Sequence, residues 1–271
     1  MVTGAMVRNN VRILGTEDGP TLVFVHGFGT DQTMWRRILP AFTDRFRVIL
    51  LDHVGSGSSE ASAYDSARYA TLEAYVEDLL EVCAELGLRD ATLIGHSVGS
   101  MMAVSAAVQD RARYFGRLIL LTASPCYLDH PDAGYVGGFS SQDLDDVFES
   151  LDANYLVWAE SMAPVYMNAP HAPELGREIQ GSFGRIGPRV ARDFARVAFL
   201  SDVRHLLPGV GIPVLVLQST DDVVTPDQVG TYLHRNLPDA TLVRLAATGH
   251  FPQSSAPEET AAAMLDYLSR P

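Results

Sequence analysis

The chain reads as an α/β fold: a mostly parallel sheet with helices on both faces. Three observations lead there. Short β-branched runs alternate with segments of helically spaced apolar residues; the runs are almost continuously apolar; and one strand–turn–helix passage encloses a Gly-x-Ser-x-Gly pentapeptide. Alternation of this kind calls for helical crossovers between parallel strands. Strands buried on both faces have no polar side to alternate with. With 271 residues, 47% hydrophobic and 20% charged, the chain suits one such domain with an insertion, or two small domains.

The β-rich runs are Thr21–Val25, Arg47–Leu51, Thr92–Ile94, Leu118–Leu121, Val214–Leu217 and Thr241–Leu245. Helical spacing appears between them at Thr71–Leu86, Ser100–Gln109, Pro226–Leu237 and Pro257–Leu268. One interval breaks the rhythm. From Ala123 to Val214 there is no convincing strand, and four helical patterns follow one another instead: Gln142–Asp152, Ala153–Met167, Pro173–Phe183 and Pro188–Leu200. Prolines 164, 170, 173 and 188 punctuate them as first-turn residues or stops. Four helices are too many for a single crossover. Residues 125–207 are therefore expected to form a lid over the carboxyl ends of the strands, with 1–124 and 208–271 as the core.

The totals exclude several functions. A net charge of −13 argues against nucleic acid or an anionic membrane as partner. All 20 basic residues are arginine, so neither a Schiff-base nor a Walker-type lysine exists. Cys83 and Cys126 lie far apart and read as structural thiols of a reducing compartment. None of the eight histidines forms a His-x-x-x-His pair, and no metal and no cofactor are expected. Met1 to Asn10 lacks the pattern of a secretion signal, and no apolar run approaches the ~18 residues of a membrane span. A soluble cytoplasmic protein is expected. Met6 is a second candidate for the natural start, which would make Met1–Ala5 an addition.

The chemistry centres on Gly95-His96-Ser97-Val98-Gly99. Preceded by a strand and followed by a helix, this pentapeptide puts Ser97 at the apex of a tight elbow. The flanking glycines permit strand and helix to pass close together. A serine hydroxyl needs an imidazole to take its proton, and the imidazole needs a carboxylate to fix its tautomer. In this kind of fold the order along the chain is serine, acid, histidine. Asp221 and Asp222 follow the strand Val214–Leu217, and His250 follows the strand Thr241–Leu245. Asp221 and Asp222 are adjacent, so one can supply the acid while the other bonds local backbone in a turn; Asp202 is a reserve. His130, His171, His205 and His234 fall in lid or helix contexts and are expected to face solvent.

The oxyanion of such a reaction needs two preorganised donors, the loss of one costing ~10²–10³ in rate. The elbow offers the Val98 N–H, and the loop His26-Gly27-Phe28-Gly29 after an early strand offers that of Phe28. The stretch Asp52-His53-Val54-Gly55-Ser56-Gly57 superficially resembles a phosphate loop, but it has no lysine and no helix directly after it. A turn in which Asp52 bonds backbone is the plainer reading. Aromatic residues crowd the insertion. Phe28, His96, Phe139, Val147, Trp158, Met162, Phe194 and Phe199 are expected to wall an apolar pocket above Ser97, suited to an uncharged hydrophobic substrate.

The His26–Gly29 loop, the elbow, Ser124-Pro125-Cys126-Tyr127, Gly137-Gly138-Phe139, Leu200-Ser201-Asp202-Val203-Arg204 and Gln218-Ser219-Thr220-Asp221-Asp222 together have a familiar pattern. The chain resembles the α/β-hydrolase group that contains the bacterial stress regulator RsbQ and the plant karrikin and strigolactone receptors. The likeness runs from about Asn9 to Leu268. It implies the α/β-hydrolase fold, a Ser97–Asp222–His250 triad, Phe28 and Val98 as oxyanion donors, and a four-helix V-shaped lid. It also implies slow hydrolysis that serves signalling, with a PAS-domain phosphatase or another signalling protein as partner. The lysine-free, arginine- and alanine-rich composition suggests a high-GC bacterial source. The expected function is hydrolysis of small uncharged hydrophobic esters or lactones. The alternatives are a ligand sensor with incidental hydrolysis, or cleavage of a carbon–carbon bond in a diketone. Dehalogenase and epoxide hydrolase chemistry is disfavoured, because those enzymes need aspartate where Ser97 stands.

Overall fold

The computed structural model describes residues 4–270. Of Met1–Ala5, residues 1–3 lie outside the described residues, and Ala5 opens the short helix α1 (Ala5–Arg8). Among the described residues one seven-stranded sheet forms: β1 (Arg12–Gly15), β2 (Thr21–Val25), β3 (Arg47–Leu50), β4 (Ala91–His96), β5 (Phe115–Leu121), β6 (Val214–Thr220) and β7 (Ala240–Thr248). Their spatial order is β1-β3-β2-β4-β5-β6-β7, antiparallel at β1 and parallel elsewhere. The central strands are buried along nearly their whole length, which is why they read as continuous apolar runs. The antiparallel edge strand β1 escaped the sequence reading. It has four residues, mostly exposed, and no apolar run to mark it.

Helices α2 (Leu72–Glu85), α3 (Val98–Gln109), α7 (Asp227–Asn236), α8 (Pro252–Ser255) and α9 (Pro257–Leu268) accompany the sheet. Between β5 and β6 come α4 (Ser141–Met167), α5 (Pro173–Phe183) and α6 (Pro188–Leu200). Helix α4 is two helices, because Asn154 has extended dihedrals of φ −162° and ψ 96°. Its side chain accepts a hydrogen bond from Val157 N–H at 3.2 Å, so Asn154 ends the first arm and caps the second. Four helical segments thus occupy the insertion, with α4 packed on both α5 and α6. A capping box at Ser140 and Asp143 starts the first arm, and Asn168 in the left-handed region (φ 45°) ends the second.

These helices sit over the carboxyl ends of the strands, as their contacts demonstrate. The loop after β2 meets them through the ion pair of Asp31 with Arg185, at 2.5 Å. The segment after β3 meets them where Tyr64 and Ser66 donate to Asp193. The loops after β6 and β7 bond to the end of α4: Asn168 Nδ2 donates to Asp221 O at 3.2 Å, and His250 N–H donates to Tyr166 O at 2.8 Å. Gly249 has to be glycine at this contact. Its φ is +78°, and a Cβ would lie 2.3 Å from Met167 O. No helix among the described residues is long and apolar enough to cross a membrane. Cys83 and Cys126 are buried free thiols.

Candidate active site

Strand β4 runs into helix α3 through Ser97, and the backbone there is strained. Ser97 has φ 56° and ψ −126°, a conformation that costs a non-glycine residue about 1–3 kcal/mol. The strain holds because strand and helix nearly touch. A Cβ on Gly95 would lie 2.4 Å from Gly99 O, and one on Gly99 would lie 2.6 Å from His26 O. The elbow therefore needs both glycines, and Ser97 is left at the start of a nine-tenths buried helix turn with its hydroxyl facing a cavity. Val98, as first residue of α3, has an amide without an intrahelical acceptor. The Phe28 amide, in the loop after β2, makes no backbone hydrogen bond among the described residues either.

Two side chains from distant parts of the chain line up on the Ser97 hydroxyl. His250 Nε2 is 2.8 Å from Ser97 Oγ, and His250 Nδ1 is 2.8 Å from Asp222 Oδ2. Asp222, the buried one of the adjacent pair, is held by its own loop: Thr225 Oγ1 donates to Oδ2 at 2.5 Å, and Val224 N–H donates to Oδ1 at 2.8 Å. Burial pushes its pKa up, but His250 and these donors outweigh burial and hold the carboxyl below its ordinary range. Asp221 is exposed, and its carbonyl accepts from Asn168 Nδ2 at 3.2 Å. Asp202 pairs with Arg204 instead, at 2.6 Å.

A second layer of neutral histidines fixes this frame. His96 Nε2–H donates to His250 O at 2.8 Å, and Thr122 Oγ1–H donates to the same carbonyl. Burial, with His250 alongside, pushes the His96 pKa down to about 3, so the ring is neutral. His26 and His53 stack with centroids 4.1 Å apart. His53 N–H donates to His26 Nε2 at 3.0 Å, and His53 Nε2–H donates to His26 O at 2.9 Å. Burial lowers both their pKa values, so this pair also stays uncharged. Asp52 is the turn anchor expected of it, accepting from the Gln32 and Ser58 amides and from Asn10 Nδ2.

The cavity at Ser97 is narrow, about 20 Å³, room for little more than one water molecule. Of the residues named from the sequence, Phe28, His96 and Phe199 line it, with Tyr127, Tyr166, Phe183, Ala198, Val224 and Phe251. Phe139, Val147, Trp158, Met162 and Phe194 do not. The aromatic ones stand one layer back: Trp158 stacks on Phe183 at 5.7 Å, Phe194 packs on Phe28 and Tyr75, and Phe139 packs on Phe199 and Tyr127. Val147 and Met162 pack partly buried against the core. Helical spacing identifies an inward face, but it does not say which ring reaches the innermost layer.

Sequence comparison places this geometry in a family. A model of the alpha/beta hydrolase family matches residues 22–263, nearly the whole chain. The chain belongs to the alpha/beta hydrolase family. Among curated hydrolase relatives, the strigolactone esterase D14 of Arabidopsis thaliana is 39% identical over 253 residues, covering 93% of each chain. The probable esterase D14L of Oryza sativa is 36% identical over 261 residues, covering 96% of this chain and 95% of that one. A hydrolase structure from Oleispira antarctica superposes with a TM-score of 0.94 at 36% identity, covering 98% and 97% of the two chains.

For a hydrolase, two residues at the cavity stand out that are not among the expected pocket residues. Tyr127 OH lies 2.9 Å from Ser97 Oγ, so the serine oxygen has a second hydroxyl partner besides His250. Burial pushes its pKa well up, so it stays protonated, and with the Ser97 proton directed at His250 Nε2 it is the Tyr127 hydroxyl that donates to Ser97 Oγ. Tyr166 faces the same cavity with a buried hydroxyl that has no partner among the described residues. Tyr127 lay inside the Ser124–Tyr127 motif. The signal was present, but nothing in the spacing said that the ring turns toward the serine.

Proposed function

We propose that the chain is a serine hydrolase of small, uncharged, hydrophobic esters or lactones. The observation that carries this reading is the unbroken hydrogen-bonded chain from Asp222 through His250 to a strained Ser97, closed over by apolar walls. Asp222 accepts the Nδ1–H of His250, which leaves Nε2 free to accept a proton. Ser97 Oγ attacks the substrate carbonyl as its proton passes to Nε2. The resulting oxyanion rests on the Val98 and Phe28 amides, neither of which has another backbone acceptor among the described residues to give up. His250 then returns the proton to the leaving alkoxide, which departs as the alcohol, or in a lactone stays tethered after ring opening. A water molecule, deprotonated by His250, attacks the acyl-enzyme and releases the acid. Tyr127, donating to Oγ, keeps the serine oxygen aimed at the cavity.

Residues 125–207 act in this reading as the lid, on a core of 1–124 and 208–271. The small apolar cavity favours short acyl chains and carries no cationic side chain to select a charged substrate. No cofactor enters the mechanism. The test is turnover of short-chain nitrophenyl esters and simple lactones by wild type and Ser97→Ala. Loss of activity by three orders of magnitude or more in a folded variant is expected; normal turnover by that variant would refute the reading.

A second reading is a ligand sensor whose output is a protein contact. It is favoured by Leu156, Val157 and Val165, apolar and exposed on the second arm of α4, and by relatives such as the karrikin insensitive 2 receptor CA of Petunia hybrida, 35% identical over 261 residues. A PAS-domain phosphatase, as in RsbQ-type signalling, is the partner class this reading expects. Fast turnover of many esters with no ligand-dependent partner in a pull-down supports the enzyme instead.

A further inference from the structure

A cluster unrelated to Ser97 chemistry lies where the helical insertion leaves and rejoins the sheet. Cys126 follows β5 and Asp202 follows α6, and the two pair in an isolated antiparallel bridge that ties the start of the insertion to its end. His130 lies four residues after Cys126. Its Nε2 is 3.5 Å from Cys126 Sγ and 4.0 Å from Asp202 Oδ2, and the three donor atoms all lie within 4.8 Å of one another. A tetrahedral zinc ion with thiolate, imidazole and carboxylate ligands sets its donor atoms roughly 3.3–3.6 Å apart. Cys126 and His130, at 3.5 Å, already have that spacing, while His130 and Asp202, at 4.0 Å, must close by about half an ångström.

Each donor is carried by fixed backbone. The Cys126 carbonyl accepts from Ser124 Oγ at 2.7 Å and from Tyr135 OH at 2.5 Å. His130 exchanges both backbone hydrogen bonds with Tyr135. Val203 N–H donates to Pro125 O at 2.8 Å, which fixes the chain beside Asp202. Arg204 reaches both Asp202 oxygens, between 2.6 and 3.0 Å. An arginine in that place orients a ligating carboxylate, and each carboxylate oxygen has a further lone pair for a cation. The Cys126 side of the cluster is buried, while the His130 and Asp202 side chains are 35% and 37% exposed, which gives an entry path from solvent. The nearest motif in the sequence, Cys-x-x-x-His, is an incomplete ligand set. Asp202, 72 residues beyond His130, joins it only through the fold, beyond the reach of histidine spacing along the chain.

We infer that Cys126, His130 and Asp202 form a binding site for a borderline-soft divalent cation of the zinc class, with water in the fourth position. On binding, the Cys126 S–H bond breaks, its proton goes to solvent, and the sulfur lone pair forms the bond to the metal; no electron is transferred. The ion would cross-link the two ends of the insertion and so stabilise its seat on the core. The test titrates the reduced full-length protein with Co²⁺ and follows the thiolate-to-cobalt charge-transfer absorption, then displaces it with Zn²⁺. Cys83 and Cys126 are the only thiols, and Cys83 is wholly buried with no comparable neighbours, so the band reports Cys126. One Co²⁺ per chain is expected, with the band lost in Cys126→Ser and affinity lowered roughly tenfold or more in His130→Ala. The partly exposed His130 position keeps the test valid should Cys126→Ser fail to fold. No charge-transfer band in wild type, or binding untouched by His130→Ala, would overturn the assignment.

Discussion

At the scale of single residues, Asp222 and Tyr127 make different predictions about one hydroxyl. Asp222 fixes the His250 tautomer, so Asp222→Asn should lower kcat by about 10⁴ with little change in KM. Asp221→Asn should leave kcat near wild type, since the Asp221 side chain makes no contact with His250. Steady-state kinetics on one ester distinguishes the two carboxylates. Tyr127→Phe removes a donor to Ser97 Oγ without emptying the cavity, and kcat should fall roughly tenfold while KM moves less. An unchanged kcat in Tyr127→Phe would show that His250 alone suffices to orient Ser97. Ser97 and His250 were legible in the sequence because a strained elbow and a post-strand loop leave local signatures. Asp222 was legible only as one of two neighbours. Which one turns inward is decided by the Val224 and Thr225 donors, and these act only once the turn has formed.

At the scale of elements, the insertion is held to the core by polar tethers as well as by apolar packing. Arg185, between α5 and α6, pairs with Asp31 in the loop after β2; Arg36 and Arg37 pair with Glu178 on α5. The Arg185 side chain is half exposed, so Arg185→Met should cost only about 1 kcal/mol in stability. Asp31→Ala should cost more, because Asp31 also caps the turn Gln32–Trp35 through Thr33 N–H. Urea denaturation of the two variants gives the ranking, and limited proteolysis within 125–207 should accelerate in both. The four helical segments were readable from periodicity and proline placement, to within two residues at the break in α4. The tether pairs and the contact of Tyr166 O with His250 N–H were not, since each depends on segments brought together from far apart in the chain. The edge strand β1 was illegible for the opposite reason. Exposed and four residues long, it has too little apolar pattern to register.

At the scale of the whole molecule, three buried neutral histidines tie stability to pH. His26, His53 and His96 all have pKa values below the ordinary 6.5, His96 at about 3. Below pH 6.5 the unfolded chain therefore binds protons that the folded chain refuses. Their stabilising effect is complete above 6.5 and is lost as pH falls toward 3, by up to about 1.4 kcal/mol per pH unit for each histidine. Asp222, whose carboxyl is held below its ordinary range, adds to the loss at still lower pH. The denaturant midpoint should drop steeply between pH 7 and pH 5, and a midpoint constant over that interval would contradict the neutral-histidine frame. The fold class was legible at this scale because strand–helix alternation is repeated along the chain and survives local errors. The pocket was not, because its innermost layer is chosen by three-dimensional packing among many aromatic side chains. The central claim, that Ser97 carries the acyl group of a bound ester, is tested most directly by intact-mass spectrometry of protein quenched during turnover of a short-chain nitrophenyl ester. A mass increase equal to one acyl group, mapped to Ser97 and absent in Ser97→Ala, is the expected result. Ester turnover continuing in Ser97→Ala, or an acyl group mapped to any other residue in wild type, would contradict it.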